Sequence, residues 1–321
     1  MRIQSLLIGA AIAAIVILPA HAGEGWVTGQ WQTYNTKRLD LENVVATVKV
    51  DVKDSGPMAV QVSGLRDRVN GVKVYPDGGK LKIECQEVGT VWDWRHWFDF
   101  SQGNLNKPSQ LLIHVVVPRG SPVDVEAMAG NVTIGDTMGP LKFEVMGYSE
   151  STVGNVSEAS LEMSGSGKLK VGNVSGTVHA ETAGSGDIRI GNVDKLNAEV
   201  DGSGSISAGR VGGPVKADIG GSGSVSVANV AGPLAVNIGG SGEFSAGEIN
   251  GSADVNIGGS GSVSIGSGEV NPLHVNIAGS GDVTIGGTVV DPRINTFGSG
   301  TVKAKACRGS SCNDHDLKIG G

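Results

Sequence analysis

The residues of this chain that could do chemistry fall into three groups. The first is a set of carboxylates and amides at near-constant spacing: Glu144, Glu162, Glu181, Glu199 and Asp218, then Asn237, Asn256, Asn276 and Asn295. Laid in register on stacked strands, neighbouring carboxylates would stand about 4.8 Å apart. At that distance they repel by nearly 1 kcal/mol in water, and by more where partly desolvated. Such a column must raise its own pKa values, hold cations or borrow positive charge. Two residues ahead of its members stand Lys142, His179, Lys216, His274 and Arg293, enough to neutralise part of it. Two readings stay open: an acidic stripe that holds divalent cations or docks a basic partner, and a solvated face whose Asn residues hydrogen-bond from copy to copy.

The second group is aromatic. Trp92, Trp94 and Trp97 lie within the nine residues Trp92–Phe100. They read either as a loop that stacks on sugar rings or on a partner protein, or as an apolar plug over an open end of the fold. The third group is the cysteines. Cys307 and Cys312 enclose Arg-Gly-Ser-Ser, a loop that can close as a disulfide in an oxidising compartment. Cys85 continues the apolar alternation of Leu81 and Ile83 and reads as a buried strand residue.

Catalytic sets do not emerge. His96, His114, His179, His274 and His315 are scattered, with no candidate nucleophile at a recognisable spacing. The acids form a uniform column, whereas sugar cleavage needs two carboxyls in contrasting environments. The glycine turns are not followed by the Lys-Ser/Thr of a phosphate loop. Asp187 and Asp282 sit at the wrong offset for a calcium-binding nonapeptide roll. Cysteine and histidine spacing does not fit zinc, and Asp314-His315-Asp316 reads as a polar tail. The expectation is a non-enzymatic chain without a cofactor.

What must position these residues is a repeat. Gly-Ser-Gly begins at Gly165, Gly184, Gly202, Gly221, Gly240, Gly259, Gly279 and Gly298, in steps of 19, 18, 19, 19, 19, 20 and 19. Degenerate copies precede these at Gly147-Tyr148-Ser149 and Met128-Ala129-Gly130. Within each copy two segments alternate apolar and polar, such as Val225 and Val227, then Leu234, Val236 and Ile238. Period two predicts strands, and Gly213-Pro214, Gly232-Pro233 and Asn271-Pro272 predict corners. One such unit cannot bury its own apolar face, but stacked units can. The predicted fold is all-β, a parallel β-solenoid of about ten coils of 18–20 residues, with an irregular β cap at its N-terminus.

The organisation follows. Residues 1–22 read as a signal peptide: Arg2, an apolar stretch from Leu6 to Leu18, and Ala20-His21-Ala22 as cleavage site. Residues 23–125 are the N-terminal cap region, 126–305 the repeat, and 306–321 a tail with the Cys307–Cys312 loop. Within the cap, Pro76-Asp77-Gly78-Gly79 predicts a hairpin between Val72–Val74 and Leu81–Ile83. A formal charge of −7 argues against nucleic acid as partner. After signal cleavage no segment is apolar enough to span a membrane.

The Gly-Ser-Gly units, together with Asn295-Thr296-Phe297-Gly298-Ser299-Gly300-Thr301-Val302-Lys303, resemble the GIN-domain family, also described as the putative auto-transporter adhesin head domain and formerly a domain of unknown function. Leu39-Asp40-Leu41-Glu42-Asn43-Val44 and Val115-Val116-Val117-Pro118 are similar to its N-terminal portion, so the resemblance covers roughly residues 36–305. It implies a secreted bacterial β-solenoid, periplasmic or extracellular, and brings no catalytic residues. The expected role is binding or adhesion to an envelope protein or polysaccharide, or an envelope scaffold. The alternatives are a polysaccharide-active enzyme and a filament former that self-associates through solenoid ends.

Overall fold

A computed structural model describes residues 25–85, 110–309, 312 and 317–320. The signal segment and Trp92, Trp94 and Trp97 lie outside the described residues. Strands make up 71% of the described residues, and one sheet winds through the 24 strands among them.

Residues 205–219 illustrate a coil. Strand Ser205–Val211 turns at Gly209, so that Ile206 and Ala208 point inward from a first side and Val211 from a short second side. After Gly212-Gly213-Pro214, strand Val215–Ile219 forms the third side and buries Val215, Ala217 and Ile219. The next coil repeats this in parallel register: Ile206 over Val225, Val211 over Val230, Ala217 over Val236. Each coil therefore delivers six apolar residues to a core continuous along the rod. The expected parallel β-solenoid is the observed fold.

The coil differs from the expectation of two strands in having that second side. It is a column of single inward residues, Val156, Val174, Val193, Val211, Val230 and Ile249. One apolar residue per coil carries no alternation, so period two could not reveal it. The side is held by asparagines. The Asn173 N–H donates to Asn155 Oδ1 at 2.8 Å, and the Asn192 and Arg210 N–H groups repeat the contact one and two coils on, each at 2.9 Å. Glycine precedes each of these residues because a Cβ on Gly172, Gly191 or Gly209 would press into that same Oδ1.

The stack continues into the N-terminal region. Strand Arg38–Lys53 pairs in parallel with Val123–Ile134, Lys80–Cys85 and Leu111–Pro118. Antiparallel strands then close this end. Met58–Leu65 lies on Leu111–Pro118, and Trp26–Thr28 and Gln32–Tyr34 lie on Met58–Leu65. Val72–Asp77 forms a hairpin with Lys80–Cys85 through Gly78 (φ +55°) and Gly79 (φ +84°), a pair of positive φ values that glycine adopts without strain. A five-residue helix, Arg66–Asn70, buries Val69, and its Arg68 guanidinium donates to the Val45 carbonyl. At the other end Leu317–Gly320 runs antiparallel along Thr301–Ala304. Among the described residues no helix is long and apolar enough to cross a membrane.

Candidate functional site

The third side carries the acidic column. Its strands pair in register, placing Glu144 beside Glu162, Glu162 beside Glu181, Glu181 beside Glu199 and Glu199 beside Asp218. The side chains point outward because the flanking residues, such as Leu161 and Met163 around Glu162, fill the core. Glu126 also belongs to the column, directly beside Glu144. The sequence reading omits it. The available signal is that Asp124-x-Glu126 occupies the place of Lys142-x-Glu144, disguised by the reversed charge of its first member and by a register shift between Ala127 and Ala129.

Among the described residues, positive charge pairs with the column at Glu144 and Asp218. Lys142 Nζ lies 2.5 Å from Glu144, and Lys216 Nζ lies 2.6 Å from Asp218. Both lysines are held above the usual ammonium pKa, chiefly by those hydrogen bonds. Burial pushes the Asp218 carboxyl up, but donation from Lys216 and from Asn237 outweighs it, so Asp218 titrates below the ordinary aspartate value. Between these ends Glu162, Glu181 and Glu199 are exposed and make no ion pair among the described residues. Their neighbours on the row two residues earlier are Ser160, His179 and Asn197, and His179 Nδ1 is 3.2 Å from Asn197 Nδ2. Glu181 consequently titrates above the ordinary glutamate value, first through burial and then through the charges of Glu162, Glu199 and Asp201. These side chains line a shallow open depression of about 400 Å³ running across four coils.

Beyond Asp218 the column becomes an amide ladder. Asn237 donates to Asp218 Oδ1 at 2.7 Å, Asn256 to Asn237 at 3.0 Å, Asn276 to Asn256 at 2.9 Å and Asn295 to Asn276 at 2.9 Å. Every Nδ2 points toward the N-terminal end, and the series finishes on the Asp218 carboxylate.

Elsewhere Cys307 and Cys312 are joined as a disulfide with Cα atoms 5.7 Å apart. Cys85 is free and half-buried, its thiol pushed up by burial. An exposed Trp31 packs edge-on against His114, whose Nε2 lies 2.7 Å from Asp51 Oδ2. Among the described residues no group of three or more His, Cys, Asp or Glu is arranged to hold a metal ion. The row of carboxylates offers ionic and hydrogen-bonding contact along an open depression.

Comparison with protein families matches residues 43–246 and 228–314 to the family described as "Putative auto-transporter adhesin, head GIN domain". No curated protein matches. Among solved structures, similarity is found to a putative adhesin from Bacteroides fragilis at 13% identity and TM-score 0.42, covering 88% of this chain and 98% of that one. A putative lipid binding protein from Parabacteroides distasonis gives 17% identity and TM-score 0.38, covering 87% and 96%. A putative adhesin from the same organism gives 16% and 0.39 over the same shares.

Proposed function

Because the chain belongs to the family described as "Putative auto-transporter adhesin, head GIN domain", we propose that it acts outside the cytoplasm as a non-enzymatic binding scaffold of the adhesion kind. Its segment 1–22 would direct export and be removed. The contact surface in this reading is the third side, and the partner is a basic surface on another envelope protein. The observation that carries it is the charge pattern: Glu162, Glu181 and Glu199 stand side by side without a cation between the Lys142–Glu144 and Lys216–Asp218 pairs. A folded protein that needed only solubility gains nothing from stacking like charges. A basic partner would relieve that repulsion on docking, and the field of the row would raise its encounter rate.

The test is binding of a lysine-rich peptide to the mature chain at low and high salt. Binding should weaken steeply with salt and should fall by at least tenfold in the Glu162→Gln, Glu181→Gln, Glu199→Gln triple variant. Equal binding by the triple variant refutes the acidic side as the contact surface. Turnover of any glycan in a polysaccharide panel refutes the non-enzymatic reading.

A further inference from the structure

Where the third side turns into the first, one coil departs from those that follow it. Its outward positions run Glu144, Met146, Tyr148 and Glu150. Met146 is 49% exposed and Tyr148 58%. Val145 pairs with Met163 and Tyr148 with Ser166, which puts Ser164 beside Met146. Later coils hold Ala183 and Ser185, Asp201 and Ser203, then Gly220 and Ser222 at the same two places. The corner is therefore built for small residues, and the fold makes no demand for a thioether and a phenol there. On the coil before, half-buried Met128 stands beside the pair, between Ala127, which pairs with Val145, and Ala129, which pairs with Tyr148. Carboxylates rim this apolar centre: Glu126, Glu144 and Glu162 on the third side and Glu150 on the first. The Tyr148 hydroxyl donates to Glu150 Oε1 at 2.9 Å, which holds the ring in place before anything binds.

We infer that this corner anchors a partner protein by receiving an aromatic or long aliphatic side chain flanked by lysines or arginines. The inference rests on the reading of the third side as a contact surface, and adds where the affinity comes from. An exposed row of charge steers a partner and sets the salt dependence, but contributes little net affinity. Tight contact needs an apolar centre that a polar rim shields from water, and Met128, Met146 and Tyr148 supply that centre beside the acidic column. The thioethers adapt to the shape of an inserted group, and the tyrosine ring offers an apolar face with its polar end tied down. The rim selects the partner. Carboxylates before and after the apolar pair, Glu144 and Glu150, disfavour an acidic segment or an anionic lipid surface and favour positive groups on both sides of the inserted side chain. Lys142 already pairs with Glu144, and Lys168 stands beside Glu150 in the next coil. The partner's charge is therefore drawn chiefly to Glu162, which has Glu144 and Glu181 on either side of it.

The probes are two fluorescein-labelled peptides of equal charge, Lys-Lys-Phe-Phe-Lys-Lys and Lys-Lys-Ser-Ser-Lys-Lys, titrated with the mature protein and followed by anisotropy. The phenylalanine peptide should bind about tenfold more tightly than the serine peptide, and that ratio should survive at about 1 M salt, where the charge contribution common to both is screened. In the Met146→Ser, Tyr148→Ser double variant, which gives this corner the residues of the next coil, the two peptides should bind equally while the melting temperature stays unchanged. Glu162→Gln should weaken both peptides by the same factor. Equal affinity of the two peptides for the parent protein overturns the inference and leaves the acidic side standing as a contact surface, whereas absence of binding by either peptide overturns both. A preference for phenylalanine that persists in the double variant puts the anchor elsewhere and also overturns it. Binding to anionic phospholipid vesicles that the double variant loses would make the occupant a membrane and overturn a protein partner. The peptide pair, read on the parent protein, keeps the test decisive if the double variant misfolds.

Discussion

Replacing Glu181 by Gln removes the middle charge of the acidic row. Glu181 lies between Glu162 and Glu199 on strands in register, so each neighbour is about 4.8 Å away at the backbone. The side chain is exposed, and the dielectric of water applies, giving roughly 0.9 kcal/mol per neighbour and about 1.7 kcal/mol for two. Screening at 0.1 M salt reduces this to about 1 kcal/mol, and at 1 M to a few tenths. Glu181→Gln should therefore stabilise the protein by about 1 kcal/mol at neutral pH, a rise in melting temperature of about 2 °C. The pH dependence follows from the raised pKa of Glu181. The folded state holds this proton more tightly than the unfolded state. Stability is fullest below the unfolded carboxyl value and declines as pH rises through the folded one. The Gln variant should lack that decline. Thermal melts of both proteins between about pH 4 and 8, at roughly 0.1 M and 1 M salt, measure all of this. A variant that is destabilised, or whose gain is the same at both salt concentrations, refutes the repulsive row.

Thr182 stands inside the core between Met163 and Val200, fully buried, and its hydroxyl has no hydrogen-bond partner among the described residues. Thr182→Val should stabilise by about 1–2 kcal/mol in denaturant unfolding, because it removes an unsatisfied polar group at constant shape. At Gly202 a Cβ would run into the carbonyl oxygen of Gly184 on the coil before it. Gly202→Ala should cost about 3 kcal/mol or more, whereas alanine at Gly78, where a Cβ meets nothing, should cost only the strain of positive φ. The Cys307–Cys312 bond closes a loop with a sequence separation of 5. Cys307→Ser should cost about 2 kcal/mol, measured as a melting shift that reductant reproduces in the parent protein.

The solenoid was legible because its constraints recur. At Gly165, Gly184, Gly202, Gly221 and Gly240 each corner packs onto the carbonyl of the corner before it, so glycine returns at every coil and marks the period. The first and third sides were legible through alternation. The second side was hidden because it contributes one inward residue per coil, and its Asn155–Asn173–Asn192 column works through backbone N–H groups that no composition argument registers. In the acidic row, Glu144 to Asp218 could be read by counting from the Gly-Ser-Gly motif. Glu126 could not, since the register slips between Ala127 and Ala129.

The equivalence of the coils has a consequence for how such a molecule changes over generations. Each unit meets its neighbours through the same parallel strand pairing, so a crossover that duplicates or deletes one whole unit keeps that pairing along the rest of the stack. Reach becomes a matter of copy number, adjustable in increments of one coil, while a one-residue slip within a strand, unlike the 18- and 20-residue steps that the corners absorb, would turn its interior outward.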